Sequence, residues 1–135
     1  MNMSALTIEA INDADVETVV ALWQRCGLTR PWNDPHADIA LARRRDNSTV
    51  LIGRDAGAIV ATIMVGHDGH RGWVYYVAVD PDGRKRGYGR AIMAAAEDWL
   101  RNAGIAKLSA ERVMKTYISL RMVFLLVHEL PPVGG

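Results

Sequence analysis

The stretch Val77–Ile92, VAVDPDGRKRGYGRAI, decides how this chain is read. Its first three residues close an apolar, β-branched and aromatic run, Trp73–Val79 (WVYYVAV), which has the composition of a buried strand. Pro81 starts a turn. A basic, glycine-containing loop then opens a helix from about Tyr88 to Ala103, with Ile92, Ala96, Trp99 and Ala103 on one face. A helix start leaves amide N–H groups unpaired and carries partial positive charge. Gly87 and Gly89 remove side chains that would hold an anion away from those amides, and Arg84, Lys85, Arg86 and Arg90 add four cations. The segment therefore predicts a phosphate site. It is not the phosphate loop of nucleotide hydrolases, because no Lys-Ser or Lys-Thr follows the glycines. It is not G-x-G-x-x-G, because residue 92 is Ile.

Upstream, Leu6–Ile11 alternates like a short strand, and Asn12 or Asp13 caps a helix running to about Arg25. Val16, Val19, Val20 and Trp23 lie on one face of that helix, and Gly27 falls just past its end. Asp34 and Pro35 cap and open a second helix that carries Ile39 and Leu41 and ends in Arg43, Arg44 and Arg45. Thr49–Arg54 and Ala58–His67 form a hairpin around Asp55-Ala56-Gly57, and Asp68–Gly72 (DGHRG) leads into the Trp73 strand. Past Gly104, Ala106–Ala110 and the apolar Met122–His128 read as further strands. The order β-α-α-β-β-β-α-β predicts one α/β or α+β domain over residues 1–135.

Composition narrows the function classes. Half of the 135 residues are hydrophobic, 23% are charged, and the net charge is +1. That balance suits a soluble globular protein and offers no global attraction for nucleic acid or an anionic membrane. The single cysteine, Cys26, excludes an internal disulfide, and the histidines have no metal-ligand spacing, so no metal is expected. Without a signal-like start or a long apolar run, a cytoplasmic protein is expected.

Arg84-Lys85-Arg86-Gly87-Tyr88-Gly89 resembles the R/Q-x-x-G-x-G/A motif of the GNAT superfamily of N-acetyltransferases. The preceding Val79-Asp80-Pro81 and following Ile92 are similar to that family's strand ending and helix opening. The resemblance covers about residues 6–112, and RPWNDP and DGHRG suggest a small bacterial subgroup. It implies a mixed, mostly antiparallel sheet flanked by helices, and transfer of acetyl from acetyl-CoA to an amine of a small molecule or an N-terminus. It implies that Arg84, Lys85, Arg86, Gly87, Tyr88, Gly89 and Arg90 hold the pyrophosphate. Val77, Ala78 and Val79 would pair with the pantetheine arm. Trp32, Asn33 and Asp34 form a candidate amine site, and Tyr76, His70 and Asp68 are candidates for moving the amine proton. Tyr75 and Tyr76 are expected on opposite faces of their strand.

After Val113 the chain departs from the family. The later N-x-x-A-x-x-x-Y-x-x-x-G-F segment, whose Tyr can protonate the CoA thiolate, has no counterpart in KTYISLRMVFLLVHELPPVGG, where Tyr117 comes too early. The last ~22 residues are atypical in this sense. The departure raises a second reading, an acyl-CoA-binding or interaction module with weak catalysis. A homodimer is expected through residues 114–130, since an apolar sheet edge needs cover.

Overall fold

The structure, a computed structural model, describes residues 6–83 and 86–105. The expected strands at 106–110 and 122–128, the expected interface at 114–130, and Arg84 and Lys85 lie outside the described residues. The elements are β1 (Thr7–Ala10), α1 (Val16–Arg25), α2 (Pro35–Arg44), β2 (Ser48–Asp55), β3 (Ala58–His67), β4 (Gly72–Val79) and α3 (Tyr88–Asn102). The strands lie in sequence order, each antiparallel to the next. Among the described residues the sheet is thus wholly antiparallel, which accords with the α/β architecture that the sequence predicts.

Local chemistry accounts for the boundaries. The Asn12 side chain accepts the Ala14 amide, and Asp15 reciprocates on the Asn12 amide, which closes a capping box ahead of α1. Asp34 accepts the Ala37 amide at 3.1 Å, with Pro35 next to it opening α2. Ala56 and Gly57 both have positive φ, 53° and 86°, as a two-residue hairpin turn of the type that matches strand twist requires.

The sheet is covered on both faces, so its inner strands are apolar at successive positions. On one face Leu51, Ile63, Val65, Val74, Val77 and Val79 pack under Ile92, Met93, Ala96 and Leu100 of α3. On the other, Val50, Ile52, Met64 and Ala78 pack against Val19, Val20 and Trp23 of α1 and Ile39 of α2. Trp99 packs at the margin of the α3 core and is only partly buried. Of the two large apolar residues of α2, Ile39 is buried and Leu41 is exposed.

One irregularity sets the site. In the β3–β4 register Thr62 faces Ala78 and Met64 faces Tyr75, so Tyr76 and Val77 together stand opposite Ile63 alone. This is a β-bulge, and Tyr76 adopts the left-handed conformation with φ 53°. Such a conformation costs a non-glycine residue about 1–2 kcal/mol, so its surroundings must hold it. The Trp23 indole donates to the Thr62 hydroxyl at 2.8 Å, and that hydroxyl donates to the Tyr76 carbonyl at 3.1 Å. The Trp23 and Tyr76 rings stack with centroids 3.8 Å apart.

Thr62→Val keeps the shape but leaves the buried Trp23 N–H and Tyr76 carbonyl without their shared partner. Urea unfolding is expected to show a loss of about 1–3 kcal/mol.

Candidate active site

The bulge changes which side chains reach the α1–α2 face. Regular alternation would send Tyr75 and Tyr76 to opposite faces, as the sequence predicts. With the extra residue, Trp73, Tyr75 and Tyr76 all pack on the α1–α2 side, while Val74 and Val77 face α3. The expectation of opposite faces is therefore corrected, and the cause is the left-handed Tyr76, which resets the period-two pattern.

Beside these aromatics lies a cavity of about 590 Å³. Leu28, Arg30, Trp32 and Asn33 of the α1–α2 loop form its rim. Asp38, Leu41 and Ala42 of α2, with Arg45 just past its end, form one wall. Ser48, Met64, Trp73, Tyr75 and Tyr76 form the floor and the far wall. Trp32 is 78% exposed at the mouth, and Tyr76 is 6% exposed at the base.

The Tyr76 hydroxyl donates to Asp38 Oδ2 at 2.6 Å. Burial, then this hydrogen bond and the Asp38 charge, raises the Tyr76 pKa well above its ordinary value. Tyr76 is thus a neutral phenol at physiological pH, a donor that orients Asp38 rather than a base. Sequence reading missed Asp38, because one acid in a helix looks like solvated surface until its partner 38 residues away is in place. It also missed the position of Arg45, read as part of a solvated helix end.

The other candidates separate. Trp32 and Asn33 border the cavity, whereas Asp34 is occupied as the cap of α2. Asp68 and His70 lie in the exposed β3–β4 turn and do not border the cavity. Asp68 Oδ1 accepts the backbone amides of His70 and Arg71, both at 2.9 Å. Those bonds, the Arg71 one foremost, outweigh desolvation and hold the Asp68 pKa below its ordinary value. The pair is a turn that closes a hairpin. Cys26 is buried, its thiol 3.4 Å from the Val79 carbonyl.

At the other end of β4, Gly87 caps α3 in the left-handed conformation, φ 82°. A Cβ placed there would meet nothing within 4 Å, so the demand for glycine is conformational, and open space lies beside it. No side chain caps α3, and no acid occupies its first turn. Arg86 and Arg90 are exposed around this start, while Tyr88 and Gly89 are buried. Tyr88 is anchored by its hydroxyl to Asp55 at the β2–β3 turn, and its ring sits over Gly83. Val77, Ala78 and Val79 lead to this point, and on the side away from β3 they meet no strand among the described residues. No group of three or more metal-ligating side chains occurs among the described residues. None of their helices is long and apolar enough to cross a membrane.

The raised Tyr76 pKa has a consequence in alkali. The unfolded chain ionises its tyrosine near pH 10, before the folded protein does. The stabilisation is therefore complete below about pH 10 and falls as pH rises toward the folded value. In unfolding measurements from pH 8 to 11, Tyr76→Phe should lose less stability than the parent over the upper part of this range.

Known proteins resemble this chain in sequence and in fold. An acetyltransferase of Yersinia enterocolitica is 41% identical over 104 residues, which is 77% of this chain and 74% of the relative. An acetyltransferase of Sodalis glossinidius is also 41% identical over 104 residues, covering 77% and 73%. Among solved structures, glucosamine-6-phosphate N-acetyltransferase from Arabidopsis thaliana superposes with a TM-score of 0.70 at 17% identity, covering 94% of this chain and 92% of that one. AAC(6')-Iy, solved with the bisubstrate analog CoA-S-monomethyl-acetylneamine, gives 0.66 at 20% identity and covers 78% of each chain. At those identities the structures attest the fold. The sequence pattern of the Acetyltransferase (GNAT) family matches residues 9–122, and this chain, with its bulged fourth strand and glycine-opened helix, belongs to that family.

Proposed function

We propose that the protein transfers acetyl from acetyl-CoA to an amine held in the cavity between α2 and β4. The observation that supports this is the bulge at Tyr76, which lies on one strand between the cavity and the glycine-opened helix. The surroundings fit acetyl-CoA. The uncapped start of α3, with Gly87 and the neighbouring Arg86 and Arg90, suits the pyrophosphate. Val77, Ala78 and Val79 offer backbone groups to the amides of the pantetheine arm. AAC(6')-Iy, which shares the fold, was solved with a CoA conjugate, and that supports the same reading.

Acetyl-CoA supplies the activated thioester; the chain's own residues supply position and proton handling. In this reading a backbone amide of β4, that of Val77 beside the bulge or that of Val79, donates to the thioester carbonyl. The Asp38 carboxylate, oriented by the Tyr76 hydroxyl, draws the amine to the base of the cavity and accepts the proton that it loses. The C–N bond forms, the C–S bond breaks, and the departing thiolate takes a proton from solvent. In this reading Tyr76, expected from the sequence to move the amine proton, positions Asp38 instead, and Asp38 takes the place expected of Asp68 and His70.

The lack of a counterpart to the tyrosine segment expected after Val113, in a chain whose family match runs to residue 122, favours a second reading, acyl-CoA binding with weak turnover. Thiol release from acetyl-CoA over an amine panel separates the two. Asp38→Asn is expected to lower kcat about 100-fold with little change in CoA affinity. Equal rates for parent and variant would remove Asp38 from the reaction. Gly87→Glu puts charge and bulk at the proposed pyrophosphate position, and calorimetry is expected to show CoA affinity reduced by at least about tenfold. Undiminished binding would relocate the cofactor.

A further inference from the structure

The cavity's own charges point to a class of acceptor. Two guanidinium groups, Arg30 and Arg45, border it against one carboxylate, Asp38. That carboxylate already accepts the Tyr76 hydroxyl. Arg30 is held in place by Nη1, which donates to the Gly27 carbonyl at 2.7 Å and the Thr29 carbonyl at 3.0 Å, and its other nitrogens are uncommitted among the described residues. Arg45 makes no hydrogen bond or ion pair with any described residue. Arg43, two residues earlier, is by contrast engaged with Asp13 at 2.7 Å. An anionic group on the acceptor would meet these guanidinium groups, whereas a simple cationic amine would gain nothing from them.

The walls add shape. The Trp73 and Tyr75 rings lie 5.3 Å apart at 55°, and Trp32 stands exposed at the mouth. Flat apolar surfaces beside guanidinium groups suit a ligand with a compact apolar body and a negative end.

We propose that the acceptor is an amine that also carries an anionic group. Arg45 and Arg30 bind the anion, Trp32, Trp73 and Tyr75 hold the apolar body, and Asp38 receives the amine. This rests on the acetyltransferase reading above and narrows it to amino acids and amino-acid-like compounds.

Two matched pairs test it. L-Phenylalanine and 2-phenylethylamine differ by a carboxylate beside the amine, and 4-(aminomethyl)benzoate and benzylamine differ by one across a ring. Binding is read by calorimetry without acetyl-CoA, and turnover by thiol release with it. In at least one pair the carboxylated member is expected to bind at least about tenfold more tightly. Arg45→Gln, a change at an exposed position, should erase most of that preference, and Arg30→Gln should reduce it. Equal or tighter binding of both neutral amines overturns the proposal, as does failure of all four compounds to bind. A preference that survives in both arginine variants also overturns it. If the carboxylated compound binds in an Arg45-dependent way but no acceptor releases thiol, the transferase reading fails and the pocket assignment stands. If neutral amines are acetylated in preference, the transferase reading stands and the pocket assignment fails.

Discussion

The left-handed backbone at Tyr76 is the constraint on which the rest of the structure depends. Three other elements converge to hold it. Trp23 of α1 stacks on the ring, Thr62 of β3 bridges the Trp23 indole to the Tyr76 carbonyl, and Asp38 of α2 takes the hydroxyl. None of these contacts exists without the others' elements in place. An otherwise unfavourable conformation is thus over-determined, and that is the condition under which local strain persists at a functional position.

The consequences run along β4 in both directions. Toward its start the bulge turns Tyr75 and Tyr76 to one face and so widens the space beneath α2 into a cavity. Toward its end, Val77 and Val79 return to the α3 face and carry the chain to Asp80. There the Arg25 guanidinium pairs with Asp80, and the Asp80 side chain accepts the Asp82 amide, which steadies the turn before the glycine loop. The Arg25–Asp80 pair is half exposed and worth little by itself. The buried side chains of Tyr88, Ile92 and Met93 give α3 its fixed orientation against the sheet. The cavity and the glycine-opened helix start are therefore both tied to one strand's geometry.

Charge is distributed with the same economy. Arg54 engages both Glu9 and Asp15, tying β1 and the capping box before α1 to β2. Burial opposes ionisation of Asp15, yet the hydrogen bonds from Arg54 and the Asn12 amide prevail and hold its pKa below the ordinary value. His36 and Glu17 connect α2 to α1. Arg45, which borders the cavity, has no hydrogen bond or ion pair to a described residue.

Local chemistry alone determined the elements. The caps at Asn12 and Asp34, the hairpin at Ala56-Gly57, the β-branched runs and the glycine-opened helix are all written within a few residues of where they act. The family motif is equally local, because a backbone nest at a helix start needs only neighbouring residues, and so the acetyltransferase identity was legible. Tertiary structure decided the lining of the cavity. Asp38 and Leu41, on a helix, and Arg45, just past its end, sit in sequence that reads as surface, and Asp68 and His70 looked chemical but close a turn. Period-two alternation could not foresee that Tyr75 and Tyr76 share a face. A bulge is a property of two strands in register, stabilised by Trp23 and Thr62 from far along the chain, and no local pattern within β4 records it.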